Sequence, residues 1–341
     1  ADCSKLNDSS AKKNLSVVYT PLFGSGRDFV LDALEKDGFS QVHLVKKQAG
    51  FDGKFPGLRK PNPEEPEVFR IAEREALQEH ADLMIATDPD SDRIGAGVIC
   101  DSKAFFFTGN QIGALLADFL SRQGSVKGKI MVTTVVTGDL GSRIVTSRGA
   151  TVIHTLTGSK FVCEEMNHME AGEFLLGYEE SHGYIGGMHI RDKDGVLAAM
   201  LLCETAAWHK TQGKTLLDAL EDLYQKYGYY IDEQDSFVFE GAKGAKEMQK
   251  IMARLRSRRG SVFAPLGKPD KILDYEKGVD ELPRSNVLKF FFPNGSWVAV
   301  RPSGTEPKIK FYYCIRGKDQ RQTQDLYEAV QTSVEEFLRT F

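Results

Sequence analysis

Apolar runs that read as buried strands alternate with runs of helical periodicity, and this alternation restricts the possible folds more than any other feature of the chain. "LSVVYT" reads as a strand, "PLFGSG" as a turn, "RDFVLDALEKDG" as a helix stopped at Gly38, and "QVHLVKK" as a second strand. A βαβ opening of this kind predicts a sheet with helices packed on its faces. "FDGKFPGLRKPNPEEPE" then interrupts with prolines and glycines that exclude regular structure. Helical spacing resumes in "VFRIAEREALQEH", and the strands "ADLMIAT" and "RIGAGVIC" flank a polar turn. A second cycle begins near Thr108 with "GNQIGALLADFLSR", "KIMVTTVV", "TGDLGSRIVTSRG" and "ATVIHTL", and it predicts a second α/β domain.

Further on, the pattern changes. "SFVFE", "KILDYEKG", "NVLKFFFP", "SWVAVRPS" and "KIKFYYCI" read as strands grouped between the helices "AKEMQKIMARLRSRR" and "DQRQTQDLYEAVQTSVEEFLR". The expected fold is therefore α/β, with two three-layer α/β domains followed by a C-terminal α+β domain. The expected divisions are a linker or appended end over 1–14 and domains over 15–106, 107–232 and 233–341. A chain of 341 residues is long enough for several cores. Its net charge of −4 lacks the basic footprint that nucleic acid or an anionic membrane requires. Cys3, Cys100, Cys163, Cys203 and Cys314 are scattered, odd in number and without a C-x-x-C pair, which fits reduced thiols in the cytoplasm. No apolar run approaches the ~20 residues that span a bilayer.

Three segments carry chemistry. "ATDPDSDRIG" sets Asp88, Asp90 and Asp92 at alternate positions, followed by Arg93, at the end of a buried strand. Carboxylates this close repel one another unless a cation neutralises them, and a hard ion such as Mg²⁺ suits an all-oxygen set. An EF-hand loop would need glycine and glutamate where Arg93 and Ile99 stand. Arg93 beside the ion suits a phosphoryl group, which a guanidinium grips with paired hydrogen bonds. "RPSGTEPK" offers Arg301, the Ser303 and Thr305 hydroxyls and the turn at Gly304 as an anion nest, with Lys310 farther along the strand. "GYEESHGY" places Glu179 and Ser181 where they can hold adjacent sugar hydroxyls, and His182 reads as an exposed loop histidine. Lys160 in "TLTGSK" and Lys193 in "RDKDG" are weaker candidates for phosphate or sugar contact, equally readable as surface lysines.

With these segments in hand, the chain resembles the α-D-phosphohexomutases, the phosphoglucomutase and phosphomannomutase superfamily. "TPLFGSG" with "DGKFP" and "PNPEE", then "DPDSDR", "EESHG" and "RPSGTEP" follow in the family's order along essentially the whole chain. The resemblance implies that the three domains are the family's second, third and fourth, the last shaped like the TATA-binding protein. It implies reversible phosphoryl transfer between O1 and O6 of a hexose through a bisphosphorylated sugar. The partners would be glucose 1-phosphate, glucose 6-phosphate and glucose 1,6-bisphosphate. By motif, Asp88, Asp90 and Asp92 would bind Mg²⁺ and Arg93 would assist transfer. Glu179 and Ser181, with Lys160 and Lys193, would hold the sugar. Arg301, Ser303, Gly304, Thr305 and Lys310 would hold the distal phosphate.

Phe23 departs from the histidine common in this family. The larger departure is the family's phosphoserine loop, of the kind "T-x-S-H-N-P", which occurs nowhere in these 341 residues. The expectation is a fragment that lacks the phosphoserine domain, is partnered by that domain in the whole enzyme and is inactive alone. Three alternatives are a preference for mannose or pentose phosphates, an aspartyl phosphatase that attacks through Asp88, and a sugar-phosphate-binding module without turnover.

Overall fold

A computed structural model describes residues 8–170, 172–239, 241–303 and 307–341. The chain divides into two compact units, Ala1–Asp222 and Leu223–Phe341. The expected division at 106/107 falls inside the first unit, between the last two residues of the final strand of its first sheet.

In chain order the first unit holds α1 (Ser9–Asn14), β1 (Ser16–Thr20), α2 (Gly26–Asp37), β2 (Gln41–Leu44), α3 (Arg70–Glu79), β3 (Leu83–Thr87), β4 (Ile94–Cys100) and β5 (Lys103–Phe107). It continues with α4 (Gly109–Leu120), β6 (Ile130–Thr134), α5 (Asp139–Ser147), β7 (Thr151–Thr155), α6 (Ser159–Met166), β8 (Phe174–Tyr178), β9 (Tyr184–Ile185) and α7 (Gly195–Thr211). The boundary between the units falls within α8 (Leu216–Tyr227).

The first sheet runs β2-β1-β3-β4-β5, with β1 parallel to β2 and β3, and β4 and β5 antiparallel at the far side. The second runs β7-β6-β8-β9 on the same plan, two parallel pairs and one antiparallel edge. Every residue of β3 and β8 is buried, as expected of central strands covered on both faces. In each sheet the order reverses beside the first strand of its cycle, and at such a switch point the loops at the strands' carboxyl ends splay apart to form a crevice. The turn after β1 and the acidic turn after β3 meet at the first reversal, and the loops after β6 and β8 meet at the second.

Two local results differ from the sequence expectation. The start expected to be linker is helical from Ser9, capped by the Asp8 carboxylate, which accepts from Ser10 N and Ala11 N at 2.9 Å. Its Lys12 reaches Asp37 at 2.8 Å and Glu204 of α7, a wholly buried carboxylate, at 2.6 Å. A polar helix without an apolar stripe gives no periodic signal, because a buried ion pair holds it in place. The aromatic strand β5 was also not anticipated; it pairs antiparallel with β4 through the turn at Asp101 and Ser102.

The second unit contains β10 (Tyr229–Val238), α9 (Gly241–Arg258), β11 (Lys271–Asp274), β12 (Leu288–Phe291), β13 (Trp297–Pro302), β14 (Lys308–Gly317) and α10 (Gln320–Leu338). Its sheet, β10-β14-β13-β12-β11, is antiparallel throughout. Val298, Val300, Ile309, Phe311 and Ile315 point to one face, where they pack with Ile251 and Leu255 of α9 and Val330 and Val334 of α10. Two helices on one sheet face make the expected α+β layer. β10 begins well before "SFVFE", because its polar first half pairs with β14 over its whole length.

Candidate functional site

β3 delivers the acidic turn. Asp88 follows its last residue, Pro89 fixes the next φ, and Ser91 N donates to Asp88 O at 3.0 Å, closing a turn with Ser91 at φ 63°. Ligand oxygens of Asp88, Asp90 and Asp92 lie within 4.8 Å of one another. Asp88 is buried, and its two oxygens accept from Arg93 N at 3.0 Å and Arg93 Nε at 2.9 Å. Burial pushes the Asp88 carboxyl up to about 6, against the pull of Arg93 and with the push of Asp90. Asp92 Oδ1 is buried and accepts no hydrogen bond among the described residues; Arg93 Nε stands 3.6 Å from it. An orphaned carboxylate oxygen among three converging acids fits a divalent cation.

Neighbouring segments hold this turn. Ser25 N donates to Pro89 O at 2.8 Å, and a Cβ on Gly24 would fall on Pro89 Cα, so the "FGSG" turn after β1 approaches as only glycine permits. Gly195 N, at the start of α7, donates to Ser91 O at 2.9 Å. Lys193 bonds Asp92, while Asp194 caps α7 by accepting from Val196 N and Leu197 N at 3.0 Å. "RDKDG", equally readable as surface, therefore abuts the acidic turn.

The second sheet brings "EESHG" to the same place. Ile94 N donates to His182 O at 3.1 Å, and Arg93 and Gly183 form an antiparallel bridge. His182 corrects the sequence expectation of an exposed loop residue: it is buried at φ 66°, and its Nδ1 donates to Ile94 O at 3.0 Å. Burial lowers its pKa, which leaves a neutral ring with the proton on Nδ1. A lone histidine in a glycine-bounded turn carries no sequence signal for such a seam.

Glu179 is buried and accepts from Gly158 N at 2.8 Å, tying the "TLTGSK" loop to the strand end, while Ser181 is half-buried beside it. Lys160, in the first turn of α6, is exposed with its ammonium 4.8 Å from the Phe161 ring centre. Sequence reasoning passed over Glu180, which accepts from Thr134 Oγ1 at 3.3 Å and Thr137 Oγ1 at 3.4 Å across the second switch point. It also gave no role to Asn62 and Glu64, which bond Arg93 at 3.4 Å and 2.9 Å. The prolines of "PNPEE" marked a loop but hid its polar contacts.

The phosphate-loop candidates belong to the second unit. Arg301 and Lys310 are directly paired across β13 and β14 on the face opposite α9 and α10, and Ser303 N donates to Lys308 O at 2.8 Å. Lys310 Nζ donates to Gln234 Oε1 at 3.0 Å. Like charges paired across strands repel one another, and an anion between them would reverse that. Gly304 and Thr305 lie outside the described residues.

Known proteins agree with this layout. Residues 2–100 match the family described as phosphoglucomutase/phosphomannomutase alpha/beta/alpha domain II, residues 108–227 match its domain III, and residues 238–332 match its C-terminal domain. The chain belongs to the α-D-phosphohexomutase superfamily. Among phosphohexomutases it is 35% identical over 334 residues to a phosphoglucomutase of Staphylococcus haemolyticus, covering 94% of this chain and 61% of that protein. A Staphylococcus aureus phosphoglucomutase is 36% identical over 320 residues, covering 89% and 57%. The chain thus spans about three-fifths of the length of these relatives. Parafusin, a phosphoglucomutase of Paramecium, shares the fold with a TM-score of 0.73 at 22% identity, covering 98% of this chain and 60% of that one. Among the described residues, no helix is long and apolar enough to cross a membrane, and Cys100, Cys163, Cys203 and Cys314 are free thiols.

Proposed function

We propose that this chain carries the metal-, sugar- and phosphate-binding parts of an enzyme that moves a phosphoryl group reversibly between O1 and O6 of glucose through glucose 1,6-bisphosphate. The observation that carries the reading is the seam in the first unit, where the backbone leaving the acidic turn at Arg93 and Ile94 pairs with "EESHG". Asp88, Asp90 and Asp92 would hold Mg²⁺, which when bound neutralises charge on the phosphoryl oxygens. Arg93 grips those oxygens through the guanidinium nitrogen that has no hydrogen bond among the described residues. Glu179 and Ser181 take adjacent sugar hydroxyls, with Lys160 and Lys193 at the margin of the sugar. Arg301, Ser303 and Lys310, with Gly304 and Thr305, hold the phosphate that is not in transfer.

One further point belongs to the reading. The family's chemistry passes through a phosphoserine, and no segment of these 341 residues resembles its loop, so the chain by itself binds hexose phosphates without interconverting them. Calorimetry of the chain with glucose 1,6-bisphosphate and Mg²⁺ tests the reading. Binding is expected, and Arg301→Ala should weaken it about tenfold or more, the worth of a charge-assisted phosphate contact. No binding, or an unaffected Arg301→Ala, would refute it. Equal affinity for mannose or pentose bisphosphates would remove the glucose assignment.

A further inference from the structure

We propose that Asn62 and Glu64 are positioning residues for Arg93, aiming its guanidinium at the transferring phosphoryl group. This rests on the role given to Arg93 above. A free arginine side chain has many rotamers to lose, so a guanidinium that must meet a phosphoryl group in one orientation gains from being held beforehand. Here it is held on two edges. Nε donates to Asp88 Oδ2 at 2.9 Å, and NH1 donates to Glu64 Oε1 at 2.9 Å and Asn62 Oδ1 at 3.4 Å. NH2 has no hydrogen bond among the described residues, and the side chain keeps 29% of its exposure. That nitrogen is the one whose N–H groups can take phosphoryl oxygens.

The support is itself fixed. Asn62 Oδ1 also accepts from Glu64 N at 3.1 Å, and Asn62 O accepts from Glu65 N at 3.0 Å, so the loop is folded onto the asparagine. A Cβ on Gly95 would fall on Pro63 O, which shows how closely this loop seats on β4, two residues beyond Arg93. The "PNPEE" loop and the acidic turn thus converge on one guanidinium, while the "EESHG" loop pairs with the backbone of the same arginine. With Asp88 and Asp92 committed to a cation, Glu64 would remain as a counter-charge that Arg93 keeps throughout.

The test is a double-mutant cycle on the full chain, with glucose 1,6-bisphosphate and Mg²⁺ in the calorimeter. Arg93→Ala and Glu64→Ala should each weaken binding about tenfold, and the double variant should be no weaker than about twofold beyond either, because the two act as one unit. Glu64→Gln keeps an acceptor oxygen in the same place and should stay within about threefold of the unsubstituted chain. Mn²⁺ affinity, read by electron paramagnetic resonance, should be unchanged in Glu64→Ala. If Arg93→Ala has no effect, the role of Arg93 falls and the inference falls with it. If Arg93→Ala weakens binding while Glu64→Ala does not, or the two losses add, positioning is overturned and the role of Arg93 stands. A Glu64→Gln variant as weak as Glu64→Ala, or a parallel loss of Mn²⁺ affinity, would overturn positioning as well.

Discussion

Lowering the pH should loosen the first unit through one histidine that takes no part in the site. His209 of α7 is 6% exposed, both ring nitrogens are buried without a hydrogen-bond partner among the described residues, and the Trp208 ring lies 4.6 Å away. Asp118, Arg122, Lys214 and Asp222 are the charged groups that face it. Burial is the main cause that lowers its pKa from 6.5 to about 4. The unfolded chain therefore takes a proton, between pH 6.5 and about 4, that the folded chain refuses. Stability is complete above that window and falls as the pH drops through it, by about 3 kcal/mol in all. Other groups titrate there too, His182 among them, so the informative quantity is a difference. Unfolding by urea, followed by Trp208 fluorescence in a Trp297→Phe background, would be measured for the chain with and without His209→Leu. The gap between the two should move by about 3 kcal/mol in favour of leucine from pH 7 to pH 4. A gap that stays constant across that range would refute the reasoning, since the histidine would then have found a partner for its proton.

Three shorter expectations concern the site and its frame. Gly24→Ala forces a methyl group onto the Pro89 backbone and should destabilise the first unit by about 1–3 kcal/mol while weakening Mn²⁺ binding, seen by thermal melting and paramagnetic resonance. Lys12→Met strips the wholly buried Glu204 of its ammonium and should lower stability by about 3 kcal/mol, measured by urea titration. Because burial holds Asp88 up to about 6, cation affinity should fall below that pH, by about tenfold per unit of pH, with proton release detectable by calorimetry in two buffers.

The sheets were legible because apolar periodicity reports burial directly. β1 and β3 come from the apolar runs "LSVVYT" and "ADLMIAT", and α2 ends where Gly38 adopts φ 100°. The acidic turn was legible for another reason: three carboxylates at alternate positions have little structural excuse. What escaped were residues whose partners lie far along the chain. Lys12 and Glu204 are 192 positions apart by number, and nothing local marks either as buried. His182 and Lys193 read as surface because a polar residue in a turn gives the same signal whether water or a second sheet covers it. Glu64 was hidden differently, since prolines announce a loop without saying where its side chains reach.

The seam between Ile94 and His182 gives the acidic turn a long-range dependence. Its outgoing strand finds backbone partners on a segment 88 residues later, at the tip of a loop that exists only once β8 and β9 have paired. Contacts so distant in sequence form late, after the intervening chain has been closed into a loop. Tight cation binding should therefore emerge only when the second sheet is complete. A divalent ion such as Mn²⁺ would then serve as a clock for the last step of folding in this unit, sensing from the first sheet the arrival of the second.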